Sequence, residues 1–292
     1  MASKNEDFLG NDNLNILKQH FQDTEQRAKE HEALRQSTEY QDQLSFLRKT
    51  VMDLIRSIRL CEFAATRDSG FANYMLPTYL DEIIEAAITA QLAIENGALN
   101  PARRELRYVL EVVVNIAYVD EVRSSDSFDD RTKYYRGKNV NKTNVKHVFD
   151  LPLRLLGAHK DSFANHVNRA WVKASNHVHL TKRKVDEKLA MREAGVNLGL
   201  ETIDMLKQIV SDVHEACSIV MVLTFETIGP SFTGDVIVGE LDQLDDWSLY
   251  ASEYVAIVDA YFDYKHERKD SLTQIIQRRQ ERIRFPLPHA DA

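Results

Sequence analysis

Between residues 12 and 68 the chain contains neither glycine nor proline. A run that long without a breaker cannot be cut into hairpins, because tight turns need residues that tolerate or fix unusual φ. Helix is the remaining choice, and the whole chain shares the bias: ten glycines and six prolines are few for 292 residues. Inside the run, Leu44, Leu47, Val51, Leu54, Ile58, Cys61 and Ala65 alternate in steps of three and four. That is the apolar seam of a coiled coil or an antiparallel helical hairpin. Leu14, Leu17, Phe21 and Ala28 carry a weaker pattern in another register. One helix over the whole run would be about 85 Å long at 1.5 Å per residue. A break is therefore predicted near 36–41, in Q-S-T-E-Y-Q. The seam either packs a helix pair into a core or joins two copies of the chain.

Further along, Ser69-Gly70 interrupts the pattern. Thr78 with Asp81 and Glu82 predicts a helix start, since a hydroxyl cap and first-turn carboxylates complement the free N–H groups. Leu80, Ile84, Ala87 and Ile94 carry that helix to Gly97. Asn100-Pro101 predicts the next start, for a helix over about 101–123 with Leu106, Leu110, Val113 and Ala117 on its stripe. The two form an αα-hairpin. Residues 124–159 read as irregular. Asp161 heads a helix with Phe163, Val167, Ala170, Trp171, Ala174 and Val178 on one side. A long helix follows over about 198–227, ended by Gly229-Pro230, with G-P-S-F-T-G-D as a loop and 236–239 extended. Helices at about 244–264 and 268–284 close the chain. Arg278, Arg279, Arg282 and Arg284 suit the negative end of the last one.

The expected fold is thus all-α: a helical bundle with a long N-terminal, coiled-coil-like helical extension. The expected units are the extension over 1–70, a bundle core over 71–232 and a C-terminal helical pair over 233–292. In the core, the hairpin at 77–123 should pack on the helices at 161–179 and 198–227.

Charge is segregated. From Arg131 to Lys184 thirteen Lys and Arg face only Asp150 and Asp161, a local charge of +11 in a chain of net −8. His147, His159, His166, His177 and His179 also lie there, five of the ten histidines. Such a block either concentrates polyanions or pairs with the protein's own acidic surface. Two cysteines make no disulfide framework, and the start M-A-S-K-N-E-D is unlike a secretory signal. The most apolar run, 216–225, is about half of what spans a bilayer. The expected setting is cytoplasmic and reducing, with no membrane.

Reactive constellations are few. There is no P-loop and no G-x-G-x-x-G. Ser175 lacks a nucleophile elbow. His177 and His179, two apart, cannot both face one metal from a regular helix, so no metal and no cofactor are expected. Arg107 and Glu111 are four apart and share a helix face beside the apolar stripe, with Val114 and Tyr118. Left unpaired there, either charge would be costly, so an ion pair is expected. Ser175 and His179 are also four apart, on a flank shared with Asn168, while Arg169 points away from them.

These words, G-A-L-N-P-A-R-R-E-L-R-Y-V-L-E and W-V-K-A-S-N-H-V-H, resemble a bacterial all-helical family with R-x-x-x-E on one helix and S-x-x-x-H on a later one. That family is similar to the HEPN group (higher eukaryotes and prokaryotes nucleotide-binding). The resemblance covers about 75–180, roughly a third of the chain. It implies a small helical bundle that binds RNA or nucleotide phosphate, in some members a ribonuclease of toxin or antiphage systems. Ribonuclease members carry an Arg, four to six intervening residues and then a His, and the two act on the scissile phosphate, usually across a dimer. Here seven residues lie between Arg169 and His177, and nine between Arg169 and His179. What carries over is the fold and four positions: His179 as general acid or base, Arg107 on a phosphate, Glu111 holding Arg107, and Ser175 adding a hydrogen bond. Arg104, Arg136, Lys138, Lys182, Arg183 and Lys184 are the expected substrate contacts. The implied partners are RNA or a nucleotide, and a second copy through the N-terminal helices. The alternative is a non-enzymatic helical scaffold or regulator, with Arg107, Glu111, Ser175 and His179 forming a buried polar network that fixes helix register.

Overall fold

The computed structural model describes residues 11–137, 145–176, 185, 189 and 199–286. Among these residues the chain is all-α, as expected, with nine α-helices and no strand. Lys138, His177, His179, Lys182, Arg183 and Lys184 lie outside the described residues.

The breaker-free run divides at the predicted place. Helix α1 spans Asn11–Arg35 and α2 spans Thr38–Ala65. Ser37 makes the join: its extended backbone stops α1, and its Oγ accepts the Tyr40 N–H at 3.3 Å to cap α2. The seam of α2 faces inward, and Leu47, Val51, Leu54 and Ile58 are fully buried. Most of α1 is exposed. The N-terminal extension thus divides into an outlying helix and one belonging to the core.

Helices α3 (Leu76–Glu95) and α4 (Leu99–Val122) form the predicted hairpin around Gly97, whose φ of 71° suits glycine. Helix α3 begins two residues ahead of Thr78 and α4 one ahead of Asn100, so neither uses its predicted cap. The start of α3 is instead held by α4: the Asp120 carboxylate accepts the Met75 and Leu76 N–H groups at 2.8 and 3.0 Å. Asp120 also takes Arg131 Nη1 at 2.6 Å. Arg131 belongs to α5 (Phe128–Gly137), a helix within the stretch read as irregular. Short 3₁₀ turns follow, and they bury Val145, Val148, Leu153 and Leu156.

Helix α6 spans Lys160–Ser175 and buries Phe163, Val167, Ala170 and Ala174. Helix α7, Ile203–Gly239, is the axis of the molecule and packs on α2, α3, α4 and α6. It is long and apolar enough to cross a membrane by length and composition, but 67% of its most apolar stretch is buried inside the protein. Gly229-Pro230 was expected to end it, with a loop and an extended 236–239 beyond. The structure corrects this. Gly229 kinks the backbone at φ 82°, and a second helical leg resumes at once. Proline is at home in a first turn, where its missing N–H is not needed. Thr233 Oγ1, in the first turn of that leg, donates to the Phe225 carbonyl at 2.7 Å and ties the two legs together across the kink.

The C-terminal pair is shorter than read: α8 spans Glu253–Ala260 and α9 spans Leu272–Arg282, with 3₁₀ turns between. The final arginines do more than face a helix dipole. Arg279 bonds Asp259 and Asp263, beside buried Arg268, which bonds Asp242, Asp259 and Asp263. One hydrophobic cluster runs from Tyr40 to Phe262.

Candidate functional site

Two of the four resemblance positions meet directly. Arg107 Nε donates to Glu111 Oε1 at 2.8 Å within one turn of α4. Trp171 of α6 donates its Nε1–H to the same oxygen at 2.7 Å. The Arg107 guanidinium lies over the Trp171 ring, 5.4 Å from its centroid. Side chains of the pair are only 14% and 13% exposed, so the expected partner exists and the charges are matched. Ser175 stands one turn beyond Trp171 at the end of α6, and its buried Oγ has no hydrogen-bond partner among the described residues. His179, the fourth position, is outside the described residues.

The expected substrate contacts are not gathered into one patch. Arg104 is exposed on α4 and Arg136 at the end of α5. The basic segment is partly neutralised by the protein itself. Arg131 pairs with Asp120, Lys133 with Asp130, Arg154 with Glu121, and Lys173 with Asp212. Self-pairing therefore accounts for four of its cations.

A cavity of about 330 Å³ opens on the other flank of α6, against α7 and the last described residues. Phe163, His166 and Arg169 line it at i, i+3 and i+6, so one helical face supplies all three. From α7 come Ser211, His214, Glu215, Ser218 and Ile219. Arg284, Phe285 and Pro286 complete the wall. Their segment is pinned because Arg284 N and Phe285 N both donate to the Ala251 carbonyl at 3.0 Å. Phe285 also stacks on His214, centroids 4.3 Å apart.

Burial governs the cavity's electrostatics. It depresses His166 to about 4, helped by Arg169 and Lys173, so the imidazole is neutral at pH 7. Burial likewise sets His214 at about 4, against the hydrogen bond to the Ser248 carbonyl and with help from Arg284. The Glu215 carboxyl is raised by burial, with Lys173 opposing. Its Oε1 is 3.3 Å from His166 Nε2. Tyr254 closes one side through a 2.9 Å contact of its hydroxyl with Ser162 Oγ. Ser218 Oγ is buried and unpartnered. Arg169 and Arg284 are exposed, and neither has a carboxylate within 4 Å among the described residues.

Sequence reasoning missed this cavity. The signal was S-D-V-H-E-A-C-S, residues 211–218: polar side chains at i, i+3, i+4 and i+7 inside an otherwise apolar helix. Among the described residues no group of three His, Cys, Asp or Glu could hold a metal ion. Comparison with protein families, with curated proteins and with solved structures finds nothing that matches this chain.

Proposed function

We propose that this chain is a helical protein that binds RNA or nucleotide phosphate at the polar end of α6, in the manner of the HEPN group it resembles. One observation supports the reading. Arg107 and Glu111 of α4 converge on the last two turns of α6, where the buried Ser175 hydroxyl lacks a partner among the described residues and, in sequence, the basic residues 182–184 follow. Residues sixty positions apart meet at one edge, as a built site requires. In the ribonuclease form of this reading, belonging to a bacterial toxin or antiphage system, His179 is the general acid or base. A homodimer through the N-terminal helices belongs to the same reading. The α2 seam is used inside the chain, which leaves Ile16, Leu17 and Phe21 of α1 as exposed apolar surface.

The second reading is a non-enzymatic scaffold, favoured by the closure of Arg107 on Glu111 and Trp171. The two separate on purified protein titrated with labelled single-stranded RNAs at 50 and 200 mM salt, for the wild type, His179→Gln and Arg107→Lys. Phosphate binding predicts affinity falling with salt by a log–log slope of about 0.7 per phosphate contacted. It also predicts at least tenfold weaker binding by Arg107→Lys, since lysine lacks the planar fork. RNA cleavage lost in His179→Gln at unchanged melting supports the ribonuclease form. No salt-sensitive binding to any RNA, with both variants merely less stable, establishes the scaffold.

A further inference from the structure

The cavity between α6, α7 and residues 284–286 is separate from the Arg107–Glu111–Trp171 cluster, and nothing in the proposed function uses it. Its construction is that of a small-molecule site. At about 330 Å³ it lies at the lower end of the range that holds small ligands. Its walls are apolar where they are deep: Phe163 is fully buried and Ile219 nearly so. Phe285 adds an aromatic face.

Two of its polar features bear on what it could hold. One is Ser218, whose side chain lies within the wall at 4% exposure and whose Oγ meets no protein partner. A buried hydroxyl left unpaired is destabilising, and a polar atom of a molecule in the cavity would satisfy this one. The other is the pair Arg169 and Arg284, which line the cavity from α6 and from the C-terminal segment, both exposed and neither within 4 Å of a carboxylate among the described residues. Guanidinium groups placed this way hold an anionic head group, bidentate where it is carboxylate or phosphate. The histidines of the lining add no competing positive charge, because His166 and His214 are neutral at pH 7. Glu215 has His166 Nε2 at 3.3 Å and Lys173 Nζ at 4.0 Å.

We propose that this cavity binds a small amphipathic anion: an apolar or aromatic body against Phe163, Ile219 and Phe285, one acidic head group on Arg169 and Arg284, and a polar atom reaching Ser218. The head-group chemistry is that shared by a carboxylate and a phosphate monoester.

The test uses the full chain and the fluorescent sulfonate 8-anilinonaphthalene-1-sulfonate, with octanoate, phenyl phosphate and the neutral octanol as competitors. The wild type is expected to bind the probe at one site per chain. Octanoate or phenyl phosphate should displace it at concentrations at least tenfold below octanol, and whichever competes better identifies the head group. Arg169→Gln/Arg284→Gln, a surface change that leaves the core intact, should weaken probe and anion at least tenfold and octanol little. Ser218→Leu, which fills the cavity, should abolish all three. Equal competition by octanol overturns the anion assignment. Undiminished probe binding by the double arginine variant overturns the site, whether or not Ser218→Leu folds.

Discussion

Glu111 shows how one atom can fix two helices. Its Oε1 accepts from Arg107 Nε at 2.8 Å and from Trp171 Nε1 at 2.7 Å, so α4 and α6 share a single acceptor. The carboxylate is nearly out of water, which makes each donor worth more than it would be at the surface. Trp171→Phe removes one donor and keeps an aromatic ring under the Arg107 guanidinium. A hydrogen bond to a charged group contributes about 1.5–3 kcal/mol, and the variant should lose stability in that range. Arg107 and Glu111 remain paired, so salt-sensitive RNA binding should survive the substitution. Urea unfolding measures the first expectation and the RNA titration the second. A stability change below about 0.5 kcal/mol would mean that Trp171 is not the clamp that the geometry makes it.

At the scale of elements, periodicity was a good guide where one face is buried and a poor one where a distant residue supplies the missing partner. The α2 seam and the α3–α4 hairpin were legible because Leu44 to Ala65 and Leu106 to Ala117 repeat at helical spacing. The start of α3 was not, because its cap is Asp120, forty-five residues from Met75. Helix α5 was hidden for the same reason: its one buried residue is Arg131, which sequence patterning counts as surface. Pro230 reads locally as a stop, but only Gly229 leaves helical φ/ψ, and Pro230 takes the first turn of a second leg that the Thr233–Phe225 bond ties back to the first. Of the candidate site, the Arg107–Glu111 pair could be read from its spacing, but the Trp171 that closes it could not. The end of α1 is held by another such long-range contact. Buried Glu201 accepts the Tyr40 hydroxyl, with His31 Nε2 at 3.6 Å and Arg35 Nη1 at 3.7 Å. Gly97 leaves room for it: a Cβ there would come within 2.5 Å of Glu201 Oε2 and 2.7 Å of Gly199 Cα. Gly97→Ala therefore meets both a positive φ and a clash, each worth about 1–3 kcal/mol. It should destabilise the chain and speed amide exchange in the last two turns of α1, around His31 and Arg35. Unchanged exchange there would show that Glu201 does not dock α1.

For the whole molecule, the dependence of stability on pH follows from buried groups whose proton affinity changes on folding. His166 and His214 are held at about 4, mainly by burial, against an ordinary 6.5. As pH falls below about 6.5 the unfolded chain takes up protons that the native state refuses. Stability fully present at neutral pH is lost progressively down to about 4, by at most about 3 kcal/mol for each ring. Glu226 acts in the opposite sense. Burial raises its carboxyl from 4.5 to about 7, so its contribution is present below about 4.5 and is lost as pH rises through 7. One of its oxygens, Oε1, accepts both the Leu155 and Leu156 N–H groups, at 2.9 and 3.2 Å. A glutamine carbonyl can do the same without a buried charge. Glu226→Gln should therefore be more stable than the wild type at pH 8, by roughly 1–3 kcal/mol, and no more stable at pH 4.5. Its stability should fall more steeply on acidification, because the histidine loss is no longer offset. His166→Gln should flatten the curve between about pH 6.5 and 4. Urea unfolding at half-unit pH intervals resolves all three profiles. Parallel curves for the wild type and Glu226→Gln would mean that the carboxylate at the Leu155 turn titrates as it does in water, and that the burial assigned to it here is wrong.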